Sequence, residues 1–93
     1  MFTLKSSNTL WSPEAWQDFM SWTLNNRKFV KRINDLIQDI QRNGLIEGIG
    51  KPERLKHSPN YSRRIDKSNR LIYRVENGYL YIVSCKGHYE EED

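Results

Sequence analysis

The 93-residue sequence has one cysteine, three prolines and no long apolar run, and two of these shortages exclude classes of protein. The single cysteine, Cys85, excludes an internal disulfide and gives no reason to expect an oxidising compartment. No stretch approaches the roughly 18 or more apolar residues of a membrane helix, and residues 1–10 lack the apolar core of a secretory signal. We therefore expect a cytoplasmic protein made of one domain over residues 1–93, with residues 1–7 loosely patterned.

Metal ligands are also scarce. Cys85-x-x-His88, with His57 elsewhere in the chain, falls short of the four protein ligands, or three plus water, that zinc takes. The spacings typical of nucleotide-binding and calcium-binding motifs are absent. The sequence therefore predicts neither a metal site nor a bound cofactor.

Positive charge is what the sequence has in excess. Fifteen Lys and Arg stand against twelve Asp and Glu, and four of those acids form the tail at residues 90–93. Between Lys51 and Arg74 there are eight basic residues and two acidic ones. This density is typical either of a solvated basic face or of a surface that binds a polyanion, and nucleic acid is then the leading candidate.

Two amphipathic helices are predicted in the first half of the chain. Ser12-Pro13 is typical of a helix start, since serine caps the N-terminus and proline fits the first helical position. Apolar residues then recur every three or four positions to about Leu24. A second apolar stripe runs over residues 28–42 and ends at Asn43-Gly44.

The second half of the chain is typical of a sheet. Asn77-Gly78 between two β-rich runs predicts a two-residue hairpin turn. That register places Glu76 opposite Tyr79, Arg74 opposite Tyr81, Ile72 opposite Val83 and Arg70 opposite Cys85. Further short strands are expected within residues 8–11, 54–57 and 61–65. We predict an α+β fold in which two N-terminal helices pack on one face of a small, mainly antiparallel sheet and arginines line the other face.

Three residues near one end of this sheet suggest metal-independent RNA cleavage. A ribose 2′-hydroxyl can attack its own phosphodiester when a base removes its proton, a cation stabilises the phosphorane and an acid protonates the leaving oxygen. Glu53, Arg70 and His88 supply one candidate for each role. Each residue taken alone also fits an ordinary surface side chain.

Six stretches carry a family resemblance: Trp11-Ser12, Val30-Lys-Arg-Ile-Asn-Asp-Leu-Ile37, Gly50-Lys-Pro-Glu-Arg-Leu-Lys-His57, Ser62-Arg-Arg-Ile65, Arg70-Leu-Ile-Tyr73 and Cys85-Lys-Gly-His-Tyr89. Together they resemble the YoeB/Txe toxins of the RelE superfamily, from about residue 10 to residue 89. The resemblance implies a RelE-like fold and a bacterial type II toxin that cleaves mRNA in the ribosomal A site. It also implies inhibition by a YefM/Axe-type antitoxin, and relatives that form homodimers leave the oligomeric state open.

The resemblance assigns roles to particular residues. It implies that Glu53 is the general base, that Arg70 stabilises the phosphate and that His88 is the general acid, while Tyr89 orients the substrate base. The weaker RNA-contacting candidates of the basic segment are Lys51, Lys56, His57, Arg63 and Arg64. The chain departs from the family in a shorter connection between residues 57 and 62, where Tyr61 is the only aromatic, and in the acidic tail after Tyr89.

Two other functions fit the same fold. The first is a catalytically silent module that binds RNA or the ribosome. The second is a gyrase-poisoning toxin, which shares the fold but lacks the acid-base residues, so the presence of Glu53, Arg70 and His88 argues against it.

Overall fold

The structure is a computed structural model that describes residues 9–87, in which two helices pack against a five-stranded sheet. The elements in chain order are β1 (Leu10–Trp11), α1 (Pro13–Asn25), α2 (Arg27–Asn43), β2 (Glu53–Arg54), β3 (Tyr61–Arg64), β4 (Arg70–Glu76) and β5 (Tyr79–Ser84). Both helices extend one residue or so beyond the predicted limits. Neither helix in the described part of the chain is long and apolar enough to cross a membrane.

Local capping explains where the helices begin and end. The Ser12 hydroxyl accepts a hydrogen bond from the Ala15 N–H at 2.9 Å, as the sequence predicts for an N-cap. Asn26 closes α1 through its own N–H and caps α2 through its side chain, which accepts from the Phe29 N–H. A single residue therefore separates the helices and holds them as a hairpin.

The sheet has the strand order β1-β5-β4-β3-β2, and only the β1–β5 pair in this sheet is parallel. The helices cover one face, where α2 contributes Ile33, Leu36 and Ile40 to the core. Leu71 and Tyr73 enter the same core from β4, as the alternation along that strand predicts. The predicted α+β fold is confirmed, and the sheet face opposite the helices is called the open face below.

The hairpin turn is confirmed, but part of the predicted register is wrong. Asn77 and Gly78 both have positive φ, and the pairs Glu76–Tyr79 and Arg74–Tyr81 form as expected. A β-bulge then shifts the ladder, so that Ile72 lies opposite Ser84 instead of Val83. The Val83 carbonyl accepts a hydrogen bond from the Ser12 hydroxyl at 2.7 Å, a contact between distant parts of the chain.

The bulge also moves Arg70 relative to the end of β5. Arg70 does not pair with Cys85 as predicted; its backbone N–H donates to the Gly87 carbonyl at 3.0 Å. The short strand predicted over residues 54–57 is likewise displaced, because only Glu53 and Arg54 pair with β3. Arg70 nevertheless lies beside the residues that follow β5, as expected.

Candidate functional site

The open face brings two of the predicted catalytic residues to the same side of the sheet. Glu53 pairs with Ser62 on β3, and Ser62 pairs with Ile72 on β4, so these three side chains share one face. Arg70 stands two residues before Ile72 and therefore projects to that face too. Standard strand spacings place the Glu53 and Arg70 Cα atoms about 12 Å apart. Ser62 and Ile72, which lie between them on this face, are buried, whereas Glu53 is exposed at the sheet edge.

The backbone around it fixes the Arg70 side chain. Arg70 is nearly buried, and its Nη1 donates to the Asp66 carbonyl at 2.9 Å and to the Asn69 carbonyl at 3.3 Å. Both acceptors belong to the turn that precedes β4. A guanidinium held in this way is suited to stabilising negative charge, because its orientation is set before a ligand arrives.

The segment that leads to the predicted acid is held from two sides. The Cys85 N–H donates to the Asp18 carboxylate at 3.1 Å, and the Trp22 indole N–H donates to the Cys85 carbonyl at 2.8 Å. On the other side, the Gly87 N–H donates to the Asn69 side chain at 2.8 Å. His88 and Tyr89 lie outside the described residues, so their roles stay predictions.

Four of the basic candidates, three near Glu53 in the chain and one on β3, are exposed. Lys51, Lys56, His57 and Arg64 are all exposed, as expected for residues that contact RNA. Lys51 and His57 both have left-handed backbone conformations, with φ of 51° and 60°. A left-handed residue therefore stands on either side of β2.

Arg63 requires a correction. It was predicted to contact RNA, but its side chain is fully buried on the helical side of the sheet. Its five N–H groups donate to the Asp39 carboxylate, to the Tyr73 hydroxyl, and to the carbonyls of Gly44, Glu47 and Ile49. Arg63 is therefore a structural residue that holds the link between α2 and β2, and it cannot be part of an RNA-binding surface.

The surroundings of Arg63 favour the charged form of its partner, Asp39. Burial by itself raises the pKa of Asp39, but hydrogen bonds from Arg63, the Ile49 N–H and Asn43 outweigh it, and the pKa falls below its ordinary value. Burial raises the pKa of Tyr73, although Arg63 partly opposes this. The Asp39 carboxylate is thus charged at neutral pH, and Tyr73 keeps its hydroxyl proton, which it donates to the Leu45 carbonyl.

Sequence reasoning missed two features of the open face. Arg74 lies over the Tyr81 ring, with its guanidinium carbon 4.8 Å from the ring centre, and also donates to the Asn60 side chain. The hairpin register already paired these residues and could have indicated the contact. The second feature is the turn from Asp66 to Asn69, whose contacts with Arg70 and Gly87 join distant parts of the chain.

Tyr61, the one aromatic of the shortened connection, is directed away from the open face. Its ring stacks on that of Tyr73 with centres 5.9 Å apart, against the hydrophobic core. Within residues 9–87, His, Cys, Asp and Glu side chains form no group of three or more suited to a metal ion.

Comparison with known proteins identifies the class of this small basic α+β protein. A family model described as a YoeB-like toxin of bacterial type II toxin-antitoxin systems matches residues 11–89. Toxin YoeB of Escherichia coli K12 is 44% identical over 82 residues, which are 86% of this chain and 96% of that protein. The chain therefore belongs to the YoeB-like toxins of type II toxin-antitoxin systems.

Solved structures agree with this membership. The YoeB–YefM complex from Staphylococcus aureus contains a chain with 49% identity and a TM-score of 0.83, and the match covers 88% of this chain and 97% of that one. The YoeB dimer from the same organism matches with 48% identity, a TM-score of 0.83 and the same coverage. The predicted family and fold are thus confirmed.

Proposed function

We propose that this toxin is an endoribonuclease that cleaves mRNA in the ribosomal A site and so stops translation. The observation that carries the proposal is that Glu53 and Arg70 project to the same sheet face, opposite the helices, in a part of the chain with several exposed basic side chains. A carboxylate and a guanidinium on either side of a phosphodiester meet the needs of 2′-hydroxyl attack.

In the proposed reaction, Glu53 takes the proton of the ribose 2′-hydroxyl. The 2′-oxygen then attacks the adjacent phosphorus, and Arg70 stabilises the charge that develops on the phosphorane oxygens. His88 gives a proton to the leaving 5′-oxygen, so the products are a 2′,3′-cyclic phosphate and a 5′-hydroxyl. Tyr89 orients the base, and the reaction needs no oxidant, reductant or metal.

Exposed basic residues hold the RNA in place. Lys51, Lys56, His57 and Arg64 are proposed to contact phosphates of the mRNA or of the ribosome, which fixes the register of the substrate without reading its sequence. Association of this kind weakens with salt. The ribosome adds positioning, since holding the attacking and leaving groups in line is itself a large part of the rate enhancement.

We also propose a YefM-type antitoxin as the inhibitory partner. Support comes from the Staphylococcus aureus relative, whose solved structure is a YoeB–YefM complex. Co-expression with a YefM-type antitoxin is expected to restore growth and to give a complex that survives gel filtration. Growth arrest that persists despite equal antitoxin expression would contradict the pairing.

Primer extension on a defined mRNA tests the nuclease, with and without 70S ribosomes. We expect discrete cuts that need the ribosome, and a loss of about 10²–10³-fold in kcat for Arg70→Ala, since a single charge-stabilising donor is worth that much. Glu53→Gln and His88→Ala are expected to lose cleavage as well. Arg54→Ala is the matched control, because Arg54 is exposed beside Glu53 but projects to the other sheet face.

Two outcomes would overturn the proposal. If the wild-type protein binds ribosomes without cutting, it is a silent binding module. If expression induces DNA damage while translation continues, it is a gyrase-directed toxin.

A further inference from the structure

The turn from Asp66 to Asn69 touches two parts of the proposed site that are distant in sequence. We propose that Asn69 is a positioning residue, which holds the Arg70 guanidinium and the backbone that leads to His88 in a fixed relation to each other. This inference rests on the proposed function, because it assigns to Arg70 and His88 the roles given above.

Asp66 makes the turn rigid. Its Oδ1 accepts hydrogen bonds from the backbone N–H groups of Ser68 and Asn69, at 2.8 and 2.7 Å, and from the Asn69 side chain at 3.1 Å. The Ile65 N–H donates to the Asn69 carbonyl at 2.9 Å, which closes the turn across its base. Burial raises the pKa of Asp66, but these bonds and the nearby Arg70 outweigh it, so the pKa is lowered and the carboxylate is charged at neutral pH.

Asn69 connects this rigid turn to the last described residues. Its Oδ1 accepts from the Gly87 N–H at 2.8 Å, and the Gly87 carbonyl accepts from the Arg70 N–H at 3.0 Å. The Asn69 carbonyl also accepts from Arg70 Nη1 at 3.3 Å. Gly87 directly precedes His88 in the chain, so Asn69 joins the backbone just before the proposed acid to the proposed phosphate clamp.

An asparagine side chain suits this position because it donates and accepts at once. The amide Nδ2 donates to Asp66, and the amide oxygen accepts from Gly87. Alanine would remove both bonds. The bond to Gly87 is exposed and the bond to Asp66 is part-buried, so their loss is expected to change geometry more than stability. A positioning role therefore predicts altered geometry with little loss of stability, whereas a structural role predicts a loss of stability.

Steady-state kinetics on ribosome-bound mRNA tests the proposal with Asn69→Ala. We expect kcat to fall about 10- to 100-fold while KM stays within about twofold, because a small misplacement of catalytic groups can cost that much. Ser68→Ala is the matched control, since Ser68 contributes its backbone N–H to the same turn. That variant is expected to keep wild-type kcat, and both variants are expected to keep the wild-type circular dichroism spectrum.

A second readout does not depend on cleavage. The chain has two histidines, His57 and His88, so in the His57→Ala background the only histidine ring signals in an NMR spectrum come from His88. Asn69→Ala is expected to shift or broaden the His88 ring signal, whereas Ser68→Ala leaves it in place.

Wild-type kcat in Asn69→Ala, a loss confined to KM, or an unmoved His88 signal would each overturn the positioning role. If the wild-type protein does not cleave but the His88 signal still moves in Asn69→Ala alone, the coupling stands and the nuclease proposal fails.

Discussion

Two neighbouring arginines on β3 have opposite surroundings. Arg63 faces the helices, is fully buried and gives all five of its N–H groups to protein acceptors. Arg64 faces the other way and is exposed. The strand alternates its side chains between the two faces, so a one-residue step changes an arginine from a structural clamp into a surface cation.

This difference shows that the number of basic residues in a stretch of sequence does not tell how much positive charge its surface presents. The basic segment from Lys51 to Arg74 counts Arg63 among its cations, but the charge of Arg63 is neutralised inside the protein by Asp39. The field that RNA would meet comes from the remaining basic residues on and around the open face. Which arginine belongs to which group depends on strand register and on an acid 24 positions earlier.

Replacing Arg63 is expected to have the largest effect on stability. Arg63→Met removes the partner of a nearly buried carboxylate and leaves several carbonyls without their donor, so we expect a loss of about 3–5 kcal/mol in the free energy of unfolding. Arg64→Met, its neighbour on the exposed face, is expected to change that free energy by less than about 0.5 kcal/mol. Urea titration followed by tryptophan fluorescence measures both. Equal losses in the two variants would show that Arg63 and Arg64 contribute alike to the stability of the fold.

Lowering the pH is expected to weaken the Asp39–Arg63 ion pair, with a smaller effect on the free energy of unfolding. Because the pKa of Asp39 is lowered in the folded protein, its contribution is present at neutral pH and is lost as the pH falls through that lowered value, below about pH 4. Asp39→Asn should cost roughly 1.5–3 kcal/mol at pH 7. The gap between wild type and variant should narrow at pH 3. A gap that stays constant over this range would show that Asp39 is not the titrating group.

The smallest expected effect concerns an exposed lysine of the basic segment. Lys56→Ala should weaken ribosome or RNA binding mainly at low salt and reduce the slope of log affinity against log salt by about one. Lys28→Ala is the control, because Lys28 is an exposed lysine on α2, in the layer across the sheet from the proposed site. Filter binding at several salt concentrations gives both slopes. If the two lysines reduce the slope equally, binding does not distinguish the two sides of the molecule.

Local signals in the sequence predicted much of the fold. The Ser12-Pro13 helix start, the Asn43-Gly44 helix end and the Asn77-Gly78 turn each depend on residues close together in the chain, and each lies where expected. That Glu53 and Arg70 lie on the same sheet face was harder to predict from the sequence. It needed strand pairing as well as alternation.

What the sequence could not predict depends on distant contacts. The bulge near Val83 forms where Ser12, more than 70 positions earlier, takes the Val83 carbonyl. The burial of Arg63 needs Asp39 and a link that wraps the guanidinium with its carbonyls. Alternation predicts that Arg63 and Arg64 face opposite ways, but it does not indicate which of them meets a buried acid.

The buried thiol of Cys85 can report local unfolding at the end of β5. Burial, with a smaller effect from Asp18, raises the pKa of this thiol to about 12, and the residue has no exposed surface. A maleimide reagent needs the thiolate and needs access, so the folded chain should react only through transient unfolding. Alkylation of Cys85 therefore measures how often the end of β5 detaches from α1, and folded copies should not become cross-linked through this cysteine.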